Sequence, residues 1–96
     1  MGHDELVSAL RATEGIVDVG QDPPNFQFRS RPFLHFHVHP DGDGVFAHVR
    51  FGRGGFEPVW SSTPQERLAL LARVMDHVER LDRTRKTHRV RSGRTR

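Results

Sequence analysis

The stretch Phe33–Phe51, FLHFHVHPDGDGVFAHVRF, decides the fold. Two runs of alternating apolar and polar residues flank a PDGD segment, and a strand sends successive side chains to opposite faces. In the first run Leu34, Phe36 and Val38 share one face, and Phe33, His35, His37 and His39 share the other. In the second run Val45, Ala47, Val49 and Phe51 oppose Phe46, His48 and Arg50. Parity then fixes how the runs pair. A connection of even length, either four residues (Pro40–Asp43) or two, sets the two aliphatic faces side by side. An odd one sets histidines opposite valines and exposes the core face, because a slip of one residue turns every side chain over. An even hairpin is therefore expected.

That hairpin gathers histidines on the face away from the core. A four-residue loop sets His35 opposite His48 and His37 opposite Phe46, whereas a two-residue loop sets His37 opposite His48. Either way the His-x-His of one strand gains a third imidazole from its neighbour. Residues two apart on a strand lie about 6.5–7 Å apart, and opposed cross-strand residues about 4.5–5.5 Å. Imidazoles so placed can converge on zinc at about 2.0–2.1 Å per nitrogen. Three histidines with an open fourth position form the pattern of a zinc that activates water for hydrolysis. His35, His37 and His48 are the candidate ligands, with His39 in reserve and Asp41, Asp43 or Glu57 as a further or supporting carboxylate.

A plainer reading stands beside this one. An antiparallel sheet with one solvated face must place polar residues there, and histidine with Arg50 and Gln27 meets that need. Phe33 and Phe46 on the same face point instead to half-burial against a partner protein or a second copy. A small sheet covered on one side also lacks walls to exclude water from a reacting centre. The preferred expectation is a non-enzymatic binding or assembly module that uses this outer face. A zinc-binding protein or hydrolase is the alternative, and no individual catalytic residue is assignable.

The flanks complete the architecture. In DELVSALRATE (residues 4–14) Leu6, Val7 and Leu10 form one stripe, acids occupy the first turn and Gly15 follows, which are helix start and stop signals. IVDV (16–19) and FQF (26–28) read as short strands separated by the proline-containing GQDPPN, with SRP (30–32) stopping the second. After the GRGG turn (52–55), FEPVW (56–60) is an edge strand or an extended segment, because Pro58 has no N–H to give a ladder. The last element is the strongest. Thr63 is its N-cap, Pro64 its first helical residue, and Glu66 closes a capping box. Leu68, Leu71, Met75, Val78 and Leu81, broadened by Val74, supply its apolar stripe, with His77 on the polar side. The expectation is an α+β two-layer sandwich: an antiparallel β-meander of four to five strands with an N-terminal and a long C-terminal helix on one face.

Composition limits the function classes. Ninety-six residues make a single domain, assigned to residues 1–82. The absence of cysteine excludes disulfides, zinc-thiolate sites and thiol catalysis. With no apolar run of about 18 residues and no signal-peptide pattern, a soluble cytoplasmic protein is expected, without membrane contact. The net charge of +3 conceals an asymmetry. Residues 83–96 hold seven Arg or Lys and no acid, while residues 1–82 hold 8 bases against 12 acids, a formal −4. Charge without periodicity predicts a disordered tail. Its Arg83, Arg85, Lys86, Arg89, Arg91, Arg94 and Arg96 are candidates for contacting nucleic acid or another polyanion by counterion release. No aromatics are interleaved there, so base stacking is not implied. DGDG lacks the remaining spaced carboxylates of a calcium loop, and GRGG precedes an extended segment rather than a helix, so neither is a ligand motif.

Read together, Gly15-Ile16-Val17, Phe28-Arg29, His35 with His37, and Asp43-Gly44 resemble the small bacterial "luciferase domain" family over residues 5–51. In that family an N-terminal helix and a Gly-Val strand lead to a Phe-Arg segment, a His-x-His and a glycine turn. The usual Pro-Phe-Pro after the second central strand is replaced here by FGRGGF. The resemblance implies a recurring His-x-His and no light-emitting or flavin chemistry.

Overall fold

The computed structural model describes residues 1–39, 41–42 and 44–94, with side chains through residue 83. Helix α1 (His3–Arg11) precedes strands β1 (Ile16–Asp18), β2 (Asn25–Phe28), β3 (Arg31–Val38), β4 (Val45–Val49) and β5 (Glu57–Trp60), and helix α2 (Pro64–Arg94) follows. The strands form one antiparallel sheet in the order β1-β2-β3-β4-β5, so the meander is as expected and has five strands. The side chains of the expected tail lie outside the described residues, apart from Arg83, and so do residues 95 and 96. Among the described residues no helix is long and apolar enough to cross a membrane.

Both helices cover the same face of the sheet. Leu6, Val7 and Leu10 of α1 and Leu70 and Val74 of α2 are buried with Phe26, Leu34, Ala47 and Val49. Each such Leu, Val or Phe side chain contributes about 1.5–3 kcal/mol when withdrawn from water. The stripe on α1 is the one expected, but that on α2 is rotated. Leu68 is 58% and Met75 38% exposed, while Leu70 and Val74 form the buried seam, flanked by the partly buried Leu71 and Val78. The apolar positions of α2 outnumber those that a two-layer contact can cover, and the sheet selects which of them turn inward. At its start Glu66 N–H donates to Thr63 Oγ1 at 3.1 Å, and Thr63 N–H donates back to Glu66 Oε1 at 2.9 Å, completing the capping box.

The central hairpin has the four-residue register: Leu34 pairs with Val49, His35 with His48, Phe36 with Ala47, and His37 with Phe46. His39 N–H closes it by donating to Gly44 O at 3.0 Å. Gly44 has φ of 102°, and a Cβ there would lie 2.5 Å from Ser62 Oγ. That hydroxyl is occupied: it accepts Val45 N–H at 2.7 Å and donates to Val45 O at 2.9 Å, joining the hairpin to the start of α2. Pro58 lies in β5 at the sheet edge, where its missing N–H costs no ladder bond.

One residue departs from strict alternation. β2 pairs Phe26 with Leu34 but Gln27 with Pro32, so Phe33 is an extra residue on β3, a β-bulge. The bulge turns Phe33 inward beside Leu34, and the residue is 3% exposed. Phe33 therefore belongs to the core and not to the outer face where simple parity places it. Apolar cover on the outer face is then left to Phe46 and its neighbours. β3 also begins earlier than expected, because a two-residue turn at Arg29 and Ser30, with φ of 55° and 65°, joins Phe28 directly to Arg31. Positive φ at both central residues matches the right-handed twist of the flanking strands.

A buried carboxylate ties α1 to the first hairpin. Burial pushes the Asp18 carboxyl up, but N–H donors from Gln21 (2.8 Å), Asn25 (3.1 Å), Arg11 Nε (2.9 Å) and Gly20 (3.1 Å) outweigh it and hold its pKa at about 2.

Candidate metal centre

The outer sheet face is where the hairpin register delivers the histidines. His35 and His48 are opposed across β3 and β4, and His37 follows two residues along on the same face. Ring centroids lie 4.7 Å apart for His35–His37, 5.4 Å for His35–His48 and 4.5 Å for His37–His48. One ring nitrogen from each can be chosen so that all three lie within 4.8 Å of one another, and this group could hold a metal ion. A tetrahedral ion at about 2.0–2.1 Å from each nitrogen asks for nitrogens about 3.3 Å apart. Closing the rings by about 1.5 Å is within the reach of modest χ rotations on a fixed backbone.

The setting favours the neutral form of the His35 imidazole, the form that binds metal. His35 is half-buried, and burial together with the charges of His37 and His48 lowers its pKa below the ordinary histidine value. His48 is half-buried and His37 exposed, leaving the cluster open to solvent on one side. Aromatic rings border it. Phe56 meets His35 edge-on at 5.1 Å, and Phe46 stacks on His37 at 5.3 Å. Among the described residues none of the three imidazoles hydrogen-bonds to a carboxylate or carbonyl, so the rings are held by packing and remain free to turn toward a ligand.

The other expected ligands go elsewhere. His39 stacks on Trp60 at 5.7 Å, and its Nδ1 accepts Asp41 N–H at 3.2 Å, which commits both residues to the hairpin loop. Asp43 lies outside the described residues. Glu57 pairs with Val49, a core residue, and its carboxylate faces Arg73 on the helix side at 3.4 Å. The bordering Phe56 escaped the sequence reading, although its parity with Pro58 and Trp60 placed it on the outer face. No family model, curated protein or solved structure matches the chain. The geometry is accordingly the ground for any functional reading.

His77 also departs from expectation. It is not a solvated residue of α2: its ring lies parallel to Phe33 at 5.8 Å and edge-on to Phe51 at 5.4 Å. Burial, with Arg80 and Arg29 nearby, lowers its pKa.

Proposed function

We propose that the protein is a metal-binding module that holds a divalent transition ion, zinc in the first instance, at His35, His37 and His48. The observation that carries this is the approach of three ligand nitrogens to within 4.8 Å on adjacent strands of one rigid hairpin. A histidine-only set suits zinc, copper or nickel and disfavours calcium and magnesium, which take oxygen ligands. Three protein ligands leave positions on the ion for water or for a donor from another molecule. The surrounding face is open and, among the described residues, carries no carboxylate placed to act as a base, which supports binding or assembly over hydrolysis.

The test is a calorimetric titration of metal-free protein with zinc, with the histidine ring resonances followed by NMR. Micromolar or tighter binding that moves His35, His37 and His48 together is expected. Loss of an orienting neighbour alone weakens metal sites by about 10–100-fold, so His48→Ala should weaken binding at least that much, and His39→Ala should not. A folded protein that binds no zinc would end the proposal.

A second reading, self-association through the same face, is favoured by Trp60 at 50% and Phe56 at 40% exposure beside the histidines. Sedimentation of the metal-free protein separates the two. Concentration-dependent dimers that Trp60→Ala abolishes would support assembly without metal, and a strict monomer would remove it.

A further inference from the structure

Residues 1–82 are acidic as a whole, yet half of their eight arginines border a single cleft. Arg29, Arg31, Arg50 and Arg53 surround a depression of about 500 Å³ at the end of the sheet where β2 turns into β3 and the chain leaves β4. Its floor and inner wall are Phe28, Phe33, Phe51 and His77, and no Asp or Glu of the described residues lines it. A cleft of about 300–1,000 Å³ with an apolar lining and a few convergent polar groups is the usual form of a small-molecule site.

The arginines divide into two roles. Arg29 is committed to the protein: its guanidinium donates to Leu81 O at 3.2 Å and lies 5.3 Å from the centre of the Phe28 ring. Arg31, Arg50 and Arg53 have no carboxylate partner among the described residues. Arg31 and Arg53 are exposed and Arg50 is half-buried, so their charge is available at the mouth. Burial and the adjacent Arg80 and Arg29 keep His77 toward its neutral form, so that it presents a flat ring rather than another cation. Three of the positions depend on unusual backbone. The Phe33 bulge puts an aromatic ring in the floor, and the positive-φ turn at Arg29 and Ser30 sets Arg29 and Arg31 on the rim.

We propose that this cleft binds a small organic phosphate of mononucleotide size, its flat ring packed against Phe28, Phe51 and His77 and its phosphate held by Arg31, Arg50 and Arg53. Guanidinium forks match phosphate oxygens two at a time, and neutral aromatic faces accept a planar ring. The site is separate from the histidine cluster and does not depend on metal.

The experiment titrates the full chain with adenosine 5′-monophosphate and with phenyl phosphate, reading the His77 and Phe ring resonances by NMR. Adenosine and inorganic phosphate are the controls. The phosphorylated rings should move His77, Phe28 and Phe51 and leave His35, His37 and His48 in place. Adenosine lacks the charged group that the guanidiniums grip, so it should bind at least about tenfold more weakly than its monophosphate. The Arg31→Glu/Arg53→Glu double variant changes two exposed side chains, so it should keep its unfolding transition and lose the binding. The proposal is overturned if neither phosphate moves these resonances, if adenosine binds as well as its monophosphate, or if the folded double variant binds unchanged.

Discussion

On the outer face His35, His37 and His48 crowd one another, with ring centroids 4.5–5.4 Å apart. On the helix side His77 has no such company and lies against Phe33 with Arg29 and Arg80 near it. Burial lowers the pKa of both His35 and His77, but the neighbours differ: imidazoles in one case, guanidiniums in the other. The same side chain thus stands in a group that could hold a metal ion at one place and lies as a flat ring among cations at the other. What distinguishes them is the element that carries them. A strand pair brings alternate residues of two chain segments together on one face, whereas one helix position meets whatever the sheet presents.

The largest expected effect tests where the boundary between the two regions runs. Phe33→Ala should cost about 3–5 kcal/mol in urea unfolding, as for an aromatic ring removed from a core. Phe46→Ala, on the half-buried outer face, should cost about 1 kcal/mol or less. Equal costs would mean that Phe33 belongs with the histidines and that the bulge is misplaced.

The next effect is a pH dependence. The unfolded chain takes up protons near the ordinary histidine value of about 6.5, while folded His35 and His77 resist protonation until lower pH. Stability from these two groups is therefore complete above that value and is lost as pH falls through their folded pKa values. His77→Phe should flatten the stability profile in that window while leaving the pH dependence of zinc binding unchanged. A zinc profile that shifted with it would join two regions that the structure keeps apart. Zinc affinity itself should fall as the pH is lowered, because protons compete for the same nitrogens.

The smallest effect concerns the turn beside the cleft. Ser30 has φ of 65°, and a left-handed conformation costs a residue with a Cβ about 1–2 kcal/mol. Ser30→Gly should raise stability by up to about 1 kcal/mol, less the entropy that glycine adds to the unfolded chain, without changing zinc binding. A loss of stability would show that the serine side chain, and not the backbone, sets the turn.

These contrasts follow what the sequence made legible. Alternation in Leu34–Val38 and Val45–Val49 was enough to predict the hairpin, the company of His35, His37 and His48, and the core face except at its loop end, where Val38 is 69% exposed. Local capping chemistry at Thr63 and Glu66 placed the start of α2. The cleft was hidden for a physical reason: its arginines come from separate segments, and the residue that floors it reaches the core through a bulge. A bulge changes parity by one residue, and neither alternation nor composition marks where that happens. The inward seam of α2 was similarly hidden, because Leu68, Leu70, Leu71, Val74 and Met75 offer more apolar positions than the sheet covers. Net charge misled as well, since an average over residues 1–82 is acidic while four arginines share one cleft.

The Ser62 hydroxyl binds both the N–H and the carbonyl of Val45, and Ser61 N–H donates to the same carbonyl at 2.9 Å. The loop end of the histidine hairpin is consequently fastened to the segment leading into α2 rather than left to fray. Amide exchange at Val45 should report the docking of the helix start, so that opening of one is felt as opening of the other. In kinetic terms, the strands that carry the histidine cluster and the helix on the opposite face share a latch at this point.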